Sequence, residues 1–278
     1  MTVGTALRRR VWRAMSASNG FLRMGFVGAM NHPLGFVFGQ SSNLVQLVIF
    51  FFVAKLVVSG PQVGGDYFTF VVLGEVGLIV MSAGLIGFST ELDKALSQGH
   101  FEMLLAEPIP WRMLPFGMMQ WPASLRLINL VFIFGLSMLL GAQFVFAGWP
   151  VALLLIVLGV AGGLAISLLA ASVKVLAKKG DPVLIIYQLA AQVLAGQYFN
   201  IELLPAPLRF LSYTIPATYV NIGLRRTMMP AGDTLPGATI EEAVIALVVF
   251  NVVMYPIAIW VFGRSMEYGR KMGLLSGY

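Results

Sequence analysis

Few residues in this chain have the types and spacing that catalysis or metal binding needs. The chain has two histidines, His32 and His100, and no cysteine, so a zinc site or a nucleophilic triad has almost nothing to build from. It carries no G-x-x-x-x-G-K-S/T, H-E-x-x-H or G-x-S-x-G sequence, the patterns of a P-loop, a zinc protease and a serine hydrolase. We therefore expect no enzymatic activity, no metal site and no cofactor within this chain.

The ionisable residues that fall inside long apolar stretches are the ones of greatest chemical interest, because a charge in hydrocarbon is costly. Glu75 lies about two turns inside one stretch, and Arg126 about one to two turns inside the next. Their depths suggest an interhelical pair. Alternatively, Arg126 extends to the inner headgroups, and Glu75 makes a structural polar contact or lines a translocation pathway. Ion-coupled carriers usually keep several carboxylates at the midplane, so a single glutamate suggests that a partner supplies the energy.

Six apolar stretches must position these side chains, and each is long enough to cross a bilayer as a helix. They are residues 36–58, 67–89, 121–142, 149–176, 182–199 and 242–262. Only 11% of the residues are charged and 58% are hydrophobic, whereas soluble domains average about 25% charged residues. We therefore predict an all-α polytopic membrane protein in which residues 1–278 form a single transmembrane domain.

The basic residues indicate which way the chain crosses the membrane, since Lys and Arg concentrate in cytoplasmic loops. Of the 18 Lys and Arg residues, only Arg209, Arg225 and Arg226 fall in outer segments when both termini are placed inside. Both termini are therefore predicted to be cytoplasmic. The net charge of +6 reflects this bias. Because no basic stripe is interleaved with aromatic residues, we expect contact with membrane lipid and none with nucleic acid.

Residues 5–30 have apolar side chains at helical spacing, with arginines on another face. This pattern predicts a helix lying in the inner membrane interface, which serves either as an anchor or as a lever to a cytosolic partner. Within the fourth span, Gly159 and Gly163 form a G-x-x-x-G pair. This spacing lets helices approach closely, and we expect that packing to be within the chain rather than between chains.

A proline-rich stretch at residues 200–231 precedes the last span. It contains Pro205, Pro207, Pro216 and Pro230, which break helices, and its apolar runs are too short to cross. Non-helical backbone at membrane depth needs cover from protein or water. We predict a re-entrant helical hairpin on the outer side of the membrane.

The polar segment at residues 91–112 lies between the second and third spans, on the predicted cytoplasmic side. Apolar residues at helical spacing continue the second span until Gly99, and a short amphipathic run then ends at Pro108 and Pro110. This pattern predicts an extension of the second helix, a glycine hinge and a short helix along the membrane. Such a helix either docks into a partner's groove or is an interfacial loop helix without a partner.

The chain resembles the permease subunit of ABC-2 type transporters, most closely a bacterial branch of uncharacterised ABC-2 permeases. The resemblance depends on six spans behind an interfacial helix, on the run G-x-F-E-x-L-L-x-x-P-I at residues 99–109, and on LLPAPLRFLSYTIPATY at residues 203–219. The tail at residues 268–277, ending in SG, also fits. The resemblance therefore covers nearly the whole chain.

The resemblance implies a multi-pass subunit of the bacterial inner membrane that a separate protein drives. Two permease subunits would pair, with a heterodimer favoured over a homodimer, and two cytosolic P-loop ATPase subunits would bind ATP and Mg²⁺ beneath them. The coupling helix that enters the ATPase would comprise Gly99, His100, Phe101, Glu102, Leu104 and Leu105, with Pro108 closing it.

The resemblance also implies where the transported molecule passes. The outer hairpin would cap the pathway, and its residues include Glu202, Pro205, Pro207, Pro216 and Tyr219. The first, second and fifth spans would line the pathway. The expected function is ATP-driven export of a hydrophobic or amphipathic substrate, and the alternatives are a membrane anchor of an ATPase-driven machine and a stand-alone secondary carrier.

Overall fold

The computed structural model describes residues 20–56 apart from residues 21, 24, 29 and 32, and residues 66–99, 114–177 and 182–272. Within these residues the protein is all-helical, without a strand. Its helices are α1 (Pro33–Leu56), α2 (Tyr67–Ser97), α3 (Leu114–Leu139), α4 (Trp149–Ala177), α5 (Pro182–Leu194), α6 (Ala206–Ser212), α7 (Pro216–Met228) and α8 (Ile240–Lys271). Short 3₁₀ turns lie at Ile201–Leu203 and Gly232–Thr234.

Among the described residues, the four helices α2, α3, α4 and α8 are long and apolar enough to cross a membrane. Shorter apolar stretches lie at Leu44–Leu56 in α1 and at Leu184–Leu194 in α5. The protein is therefore a multi-pass, membrane-embedded helical protein, which confirms the predicted class. The count of six spans stays a prediction, and the predicted interfacial helix at 5–30 lies largely outside the described residues.

Helix α2 is the central element, and its own sequence determines both of its ends. Asp66 caps the start by accepting hydrogen bonds from the backbone N–H groups of Phe68 at 3.1 Å and Thr69 at 3.3 Å, which are donors without an intrahelical partner. The helix is apolar on all sides and is buried among α3, α4 and α7. It ends just before Gly99, whose φ of +68° is a conformation that glycine adopts without steric cost.

Helices α2 and α4 cross with their backbones in contact because glycine removes the side chain from each. A Cβ atom on Gly84 would lie 2.0 Å from the backbone oxygen of Val160, and one on Gly163 would lie 2.3 Å from that of Met81. A Cβ atom on Gly159 would also meet an α2 side chain at 2.7 Å. The predicted packing of the Gly159–Gly163 motif inside the chain is therefore confirmed.

Helix α8 packs along α4 on one side and is exposed on the other. Asn251 Nδ2 donates a hydrogen bond to the backbone oxygen of Leu158 at 3.1 Å, which fixes one contact between the two helices. The opposite side is apolar, with Val252 67% and Trp260 64% exposed, as expected of a surface that faces lipid. Helices α1 and α5 pack against the bundle less extensively than α3 and α4 do.

Three helix boundaries differ from the predicted ones. Helix α5 ends at Leu194, short of residue 199, because Gly196 turns the chain with a φ of +66°. Helix α3 begins at Leu114 rather than at residue 121 and includes Pro122. Helix α8 continues to Lys271, beyond residue 262, and its basic last turn suits the negative end of the helix dipole.

Candidate functional site

Polar side chains from three segments meet inside the bundle, in the half of α2 that begins at Tyr67. Glu75 of α2 is buried, with 3% of its surface exposed. Gln46 of α1 lies beside it, together with Gln197 and Tyr198, which follow α5. We name these four residues the Glu75 cluster: Gln46, Glu75, Gln197 and Tyr198.

Amide donors hold the Glu75 cluster together. Gln197 Nε2 donates to Glu75 Oε2 at 2.5 Å, and Gln46 Nε2 donates to the same oxygen at 3.4 Å. Gln46 Nε2 also donates to the Tyr198 hydroxyl oxygen at 3.3 Å. A single carboxyl oxygen therefore joins α1, and the segment after α5, to α2.

A buried arginine lies on the other side of Gln197. Arg225 of α7 is 4% exposed, and its guanidinium donates to the backbone oxygens of Phe70 at 3.1 Å, Gly196 at 2.7 Å and Gln197 at 2.7 Å. The guanidinium carbon also lies 3.5 Å from the centre of the Phe70 ring, in a cation–π contact. Carbonyl dipoles and an aromatic ring thus stabilise a charge that has no carboxylate ion pair in the part of the chain that the structure describes.

Gln197 connects this arginine to the glutamate. Its backbone oxygen accepts a hydrogen bond from Arg225, and its side-chain amide donates one to Glu75. A movement of the segment after α5 would therefore change the surroundings of both ionisable groups together.

Two glycines of α2 allow the neighbouring segments to come this close. A Cβ atom on Gly74 would lie 2.2 Å from the backbone oxygen of Gln197, and one on Gly77 would lie 1.8 Å from Asn221 Oδ1. Asn221 Nδ2 in turn donates to the backbone oxygen of Ala195 at 2.8 Å. The missing side chains of α2 therefore shape the site as much as its polar side chains do.

Two amide oxygens at the Glu75 cluster lack a hydrogen-bond partner in the described part of the chain. Gln197 Oε1 and Asn221 Oδ1 are buried and have no hydrogen-bond partner within the described residues, whereas buried polar atoms usually have one. Among the residues that the structure covers, no group of three or more His, Asp or Glu could hold a metal ion.

Arg126 is not part of the Glu75 cluster. No ion pair joins it to Glu75 in the described structure, although the two charges influence each other electrostatically. Glu75 takes neutral amide donors instead. The roles of Gln46 and Gln197 and the burial of Arg225 were not predicted from the sequence. The two glutamines had a signal, since each is a polar residue within or directly after an apolar run.

The predicted outer hairpin folds as the short helices α6 and α7, and prolines begin both. Pro205 immediately precedes α6, Pro207 lies in its first turn, and Pro216 is the first residue of α7. Proline suits these positions because its fixed φ is helical and the first N–H groups of a helix lack partners. That the hairpin dips into the membrane stays a prediction.

Hydrogen bonds around Tyr213 bring two of the predicted hairpin residues together. Glu202 accepts from Arg209 Nη1 at 2.6 Å and from the Tyr213 hydroxyl at 2.9 Å. The Tyr219 hydroxyl donates to the backbone oxygen of Tyr213 at 2.9 Å. These contacts link the 3₁₀ turn at Ile201–Leu203 with both hairpin helices.

The predicted coupling segment is described only as far as Gly99. The extension of the second helix and the glycine turn that ends it are both present. The other coupling residues lie outside the described residues: His100, Phe101, Glu102, Leu104, Leu105 and Pro108. Their coupling role stays a prediction.

Comparison with known proteins identifies no family for this chain. No protein-family model matches it, and no curated protein matches it. The resemblance to ABC-2 permeases therefore stays a prediction that depends on the residues quoted for it.

Proposed function

We propose that this chain is the transmembrane permease subunit of an ATP-driven transporter of the ABC-2 type. It crosses the bacterial inner membrane six times with both termini in the cytoplasm, and it pairs with a second permease subunit above two P-loop ATPase subunits. The observation that carries the proposal is helix α2, because one helix carries both the Glu75 cluster and the start of the coupling segment.

Helix α2 has the properties of a rod that transmits force. It has 31 residues and is therefore about 46 Å long, more than the roughly 30 Å of hydrocarbon that a span must cross. An ion pair of 3.0 Å between Asp93 and Lys174 attaches its far end to α4. From Glu75 to Ser97 the helix rises about 33 Å, so a displacement at the coupling segment reaches the Glu75 cluster through one continuous helix.

Opening of the pathway then requires separation at the Glu75 cluster. Helices α1 and α5 pack less extensively on the bundle than α3 and α4, and the hydrogen bonds of Gln46 and Gln197 attach them to α2. A movement of α2 breaks these bonds and opens a passage between α1, α2 and α5. The largely apolar walls with a few hydrogen-bonding groups favour export of a hydrophobic or amphipathic substrate.

The test is reconstitution of the chain with a P-loop ATPase in proteoliposomes. Glu102→Arg and Leu105→Asp should uncouple ATP hydrolysis from transport while the detergent-solubilised protein still elutes as a single folded species. Leu105→Met is the matched control, because it keeps the apolar volume, and it should retain both activities. Normal transport with stimulated hydrolysis in both disruptive variants would refute the coupling assignment.

A stand-alone carrier is the second candidate, and the buried Glu75 with unpartnered amide oxygens nearby is the observation that favours it. It requires ion-gradient-driven flux from the purified chain without any ATPase. That flux should be lost in Glu75→Gln. No flux in proteoliposomes that lack the ATPase would dismiss this candidate.

A further inference from the structure

A recess lies between the outer hairpin and the start of α8, and none of its lining residues belongs to the Glu75 cluster. It has a volume of about 610 Å³, and its lining includes Tyr213, Tyr219, Glu242, Ile245 and Val249. Two aromatic rings, one carboxylate and an apolar strip thus surround a single cleft. We name it the Tyr219 cleft.

We propose that the Tyr219 cleft binds a phospholipid with an ammonium head group, with the ammonium beside the two tyrosines and Glu242 and an acyl chain along α8. This inference is independent of the proposed transport function, because it requires neither ATP nor movement of α2.

The aromatic part of the cleft suits an organic cation. The rings of Tyr213 and Tyr219 have centroids 6.1 Å apart and planes inclined at 49°. Both rings are anchored, since the Tyr213 hydroxyl donates to Glu202 and the Tyr219 hydroxyl donates to a backbone oxygen. Aromatic rings held in this way attract ammonium groups through their negative faces, and the attraction strengthens where water is excluded.

Both tyrosines remain neutral at physiological pH. Burial, together with the neighbouring Glu202, raises the pKa of Tyr213 to about 12. Burial and the charge of Glu242 raise the pKa of Tyr219 above its ordinary value. Because a tyrosine whose pKa is raised keeps its proton further into the alkaline range, the rings stay hydrogen-bonded phenols.

Glu242 supplies the negative charge of the cleft. Its Oε2 accepts a hydrogen bond from the backbone N–H of Thr239 at 2.7 Å in a capping box, and Oε1 has no hydrogen bond within the described residues. Neither nearby arginine forms an ion pair with Glu242 in the described structure, since Arg209 pairs with Glu202 and Arg226 donates to backbone oxygens of the loop before α8. Charge complementarity therefore favours an ammonium over a head group that is only anionic.

The apolar strip indicates a lipid rather than a soluble cation. Ile245 is 61% exposed and Val249 is 55% exposed, and they lie one turn apart on α8. Val252, 67% exposed, continues this strip along a helix that is apolar enough to cross the membrane. An acyl chain that starts at the Tyr219 cleft would therefore lie against apolar side chains.

The test is native mass spectrometry of the full chain in detergent with dioleoylphosphatidylcholine or dioleoylphosphatidylglycerol at equal concentrations. We expect tighter binding of the choline lipid, and an affinity about tenfold weaker in Glu242→Gln and in Tyr219→Leu. The matched controls are Glu241→Gln, which removes the same charge next to the cleft, and Tyr219→Phe, which keeps the ring. Both should stay within about twofold of the native chain.

Three results would overturn the proposal. They are equal binding of the two lipids, an equal loss in Glu241→Gln and Glu242→Gln, and displacement of the lipid by an equal concentration of choline chloride, which would indicate a soluble cation. Should Tyr219→Leu fail to fold, the comparison of Glu242→Gln with Glu241→Gln still tests the proposal, because a glutamine at position 242 preserves the capping box.

Discussion

Gly74→Ala should disrupt the Glu75 cluster without changing any polar residue in it. The new Cβ atom would lie 2.2 Å from the backbone oxygen of Gln197, which must retreat by about 1.2 Å to reach the 3.4 Å of an ordinary contact. The same oxygen accepts the 2.7 Å hydrogen bond from Arg225 Nη2, and the same residue donates to Glu75 at 2.5 Å. One added methyl group therefore strains both the contact of Gln197 with Arg225 and its contact with Glu75.

The expected loss of stability can be assembled from its parts. Overpacking of a close contact costs about 1–3 kcal/mol, and a weakened hydrogen bond to a buried charged group adds about 1.5–3 kcal/mol. The gain from replacing glycine by alanine inside a helix offsets about 1 kcal/mol. The free energy of unfolding of Gly74→Ala should therefore fall by about 1.5–5 kcal/mol.

The assay is reversible unfolding by sodium dodecyl sulfate in dodecyl maltoside micelles, followed by circular dichroism. Gly135→Ala is the matched control, because no atom lies within 4 Å of the Cβ position on that α3 glycine, and it should leave stability unchanged or slightly raised. Equal stability of Gly74→Ala and Gly135→Ala would refute the assignment of Gly74 as the residue that admits the Gln197 segment.

Three further changes can be measured in the same way. Arg225→Met should lower the free energy of unfolding by about 3 kcal/mol, because three backbone oxygens lose a donor while a costly buried charge is removed; Arg225→Lys should not restore it, since lysine lacks the planar fork. Gly163→Ala should cost about 1–3 kcal/mol, because its Cβ atom would meet the backbone oxygen of Met81 at 2.3 Å, and a wild-type unfolding curve would contradict this. Asp93→Asn should lower the free energy of unfolding by about 1–3 kcal/mol, because its partner Lys174 is only 3% exposed and loses charge compensation, and it should lower ATP-driven transport; unchanged transport would argue against a role of the Asp93–Lys174 ion pair.

The sequence predicted the features that local patterns determine. The length of α2 followed from an apolar run that continues at helical spacing into Leu92 and Leu96, and its end followed from Gly99. The close approach of α4 followed from the spacing of Gly159 and Gly163. In each case a few neighbouring residues carry the information, since helix periodicity and glycine geometry act over a turn or two.

The contents of the candidate site depend instead on residues far apart in the sequence. The partners of Glu75 are glutamines that lie 29 and 122 positions away, and a neutral amide gives none of the charge signal that suggested Arg126. Arg225 was predicted as one of the outer basic residues, but it is buried because α2 presents Gly74 and a backbone oxygen of Phe70 to it. Such pairings arise from tertiary packing between residues that are distant in sequence, and helical periodicity does not predict these contacts.

The hydrogen bonds of the Glu75 cluster have a strength that is compatible with the proposed mechanism, in which an ATPase partner opens the pathway. The hydrogen bonds from Gln197 and Gln46 to Glu75, one short and one long, contribute about 2–5 kcal/mol together. To shift a two-state equilibrium from 1:99 to 99:1 takes about 5.5 kcal/mol, which is of the same order. The cluster can therefore hold α1 and α5 against α2 in nearly every molecule at rest, yet a partner that favours the open state by a similar free energy would release them. In the proposed mechanism, this one polar cluster near the start of α2 would set both the closed resting state and the free energy that the ATPase must deliver at the other end of the helix.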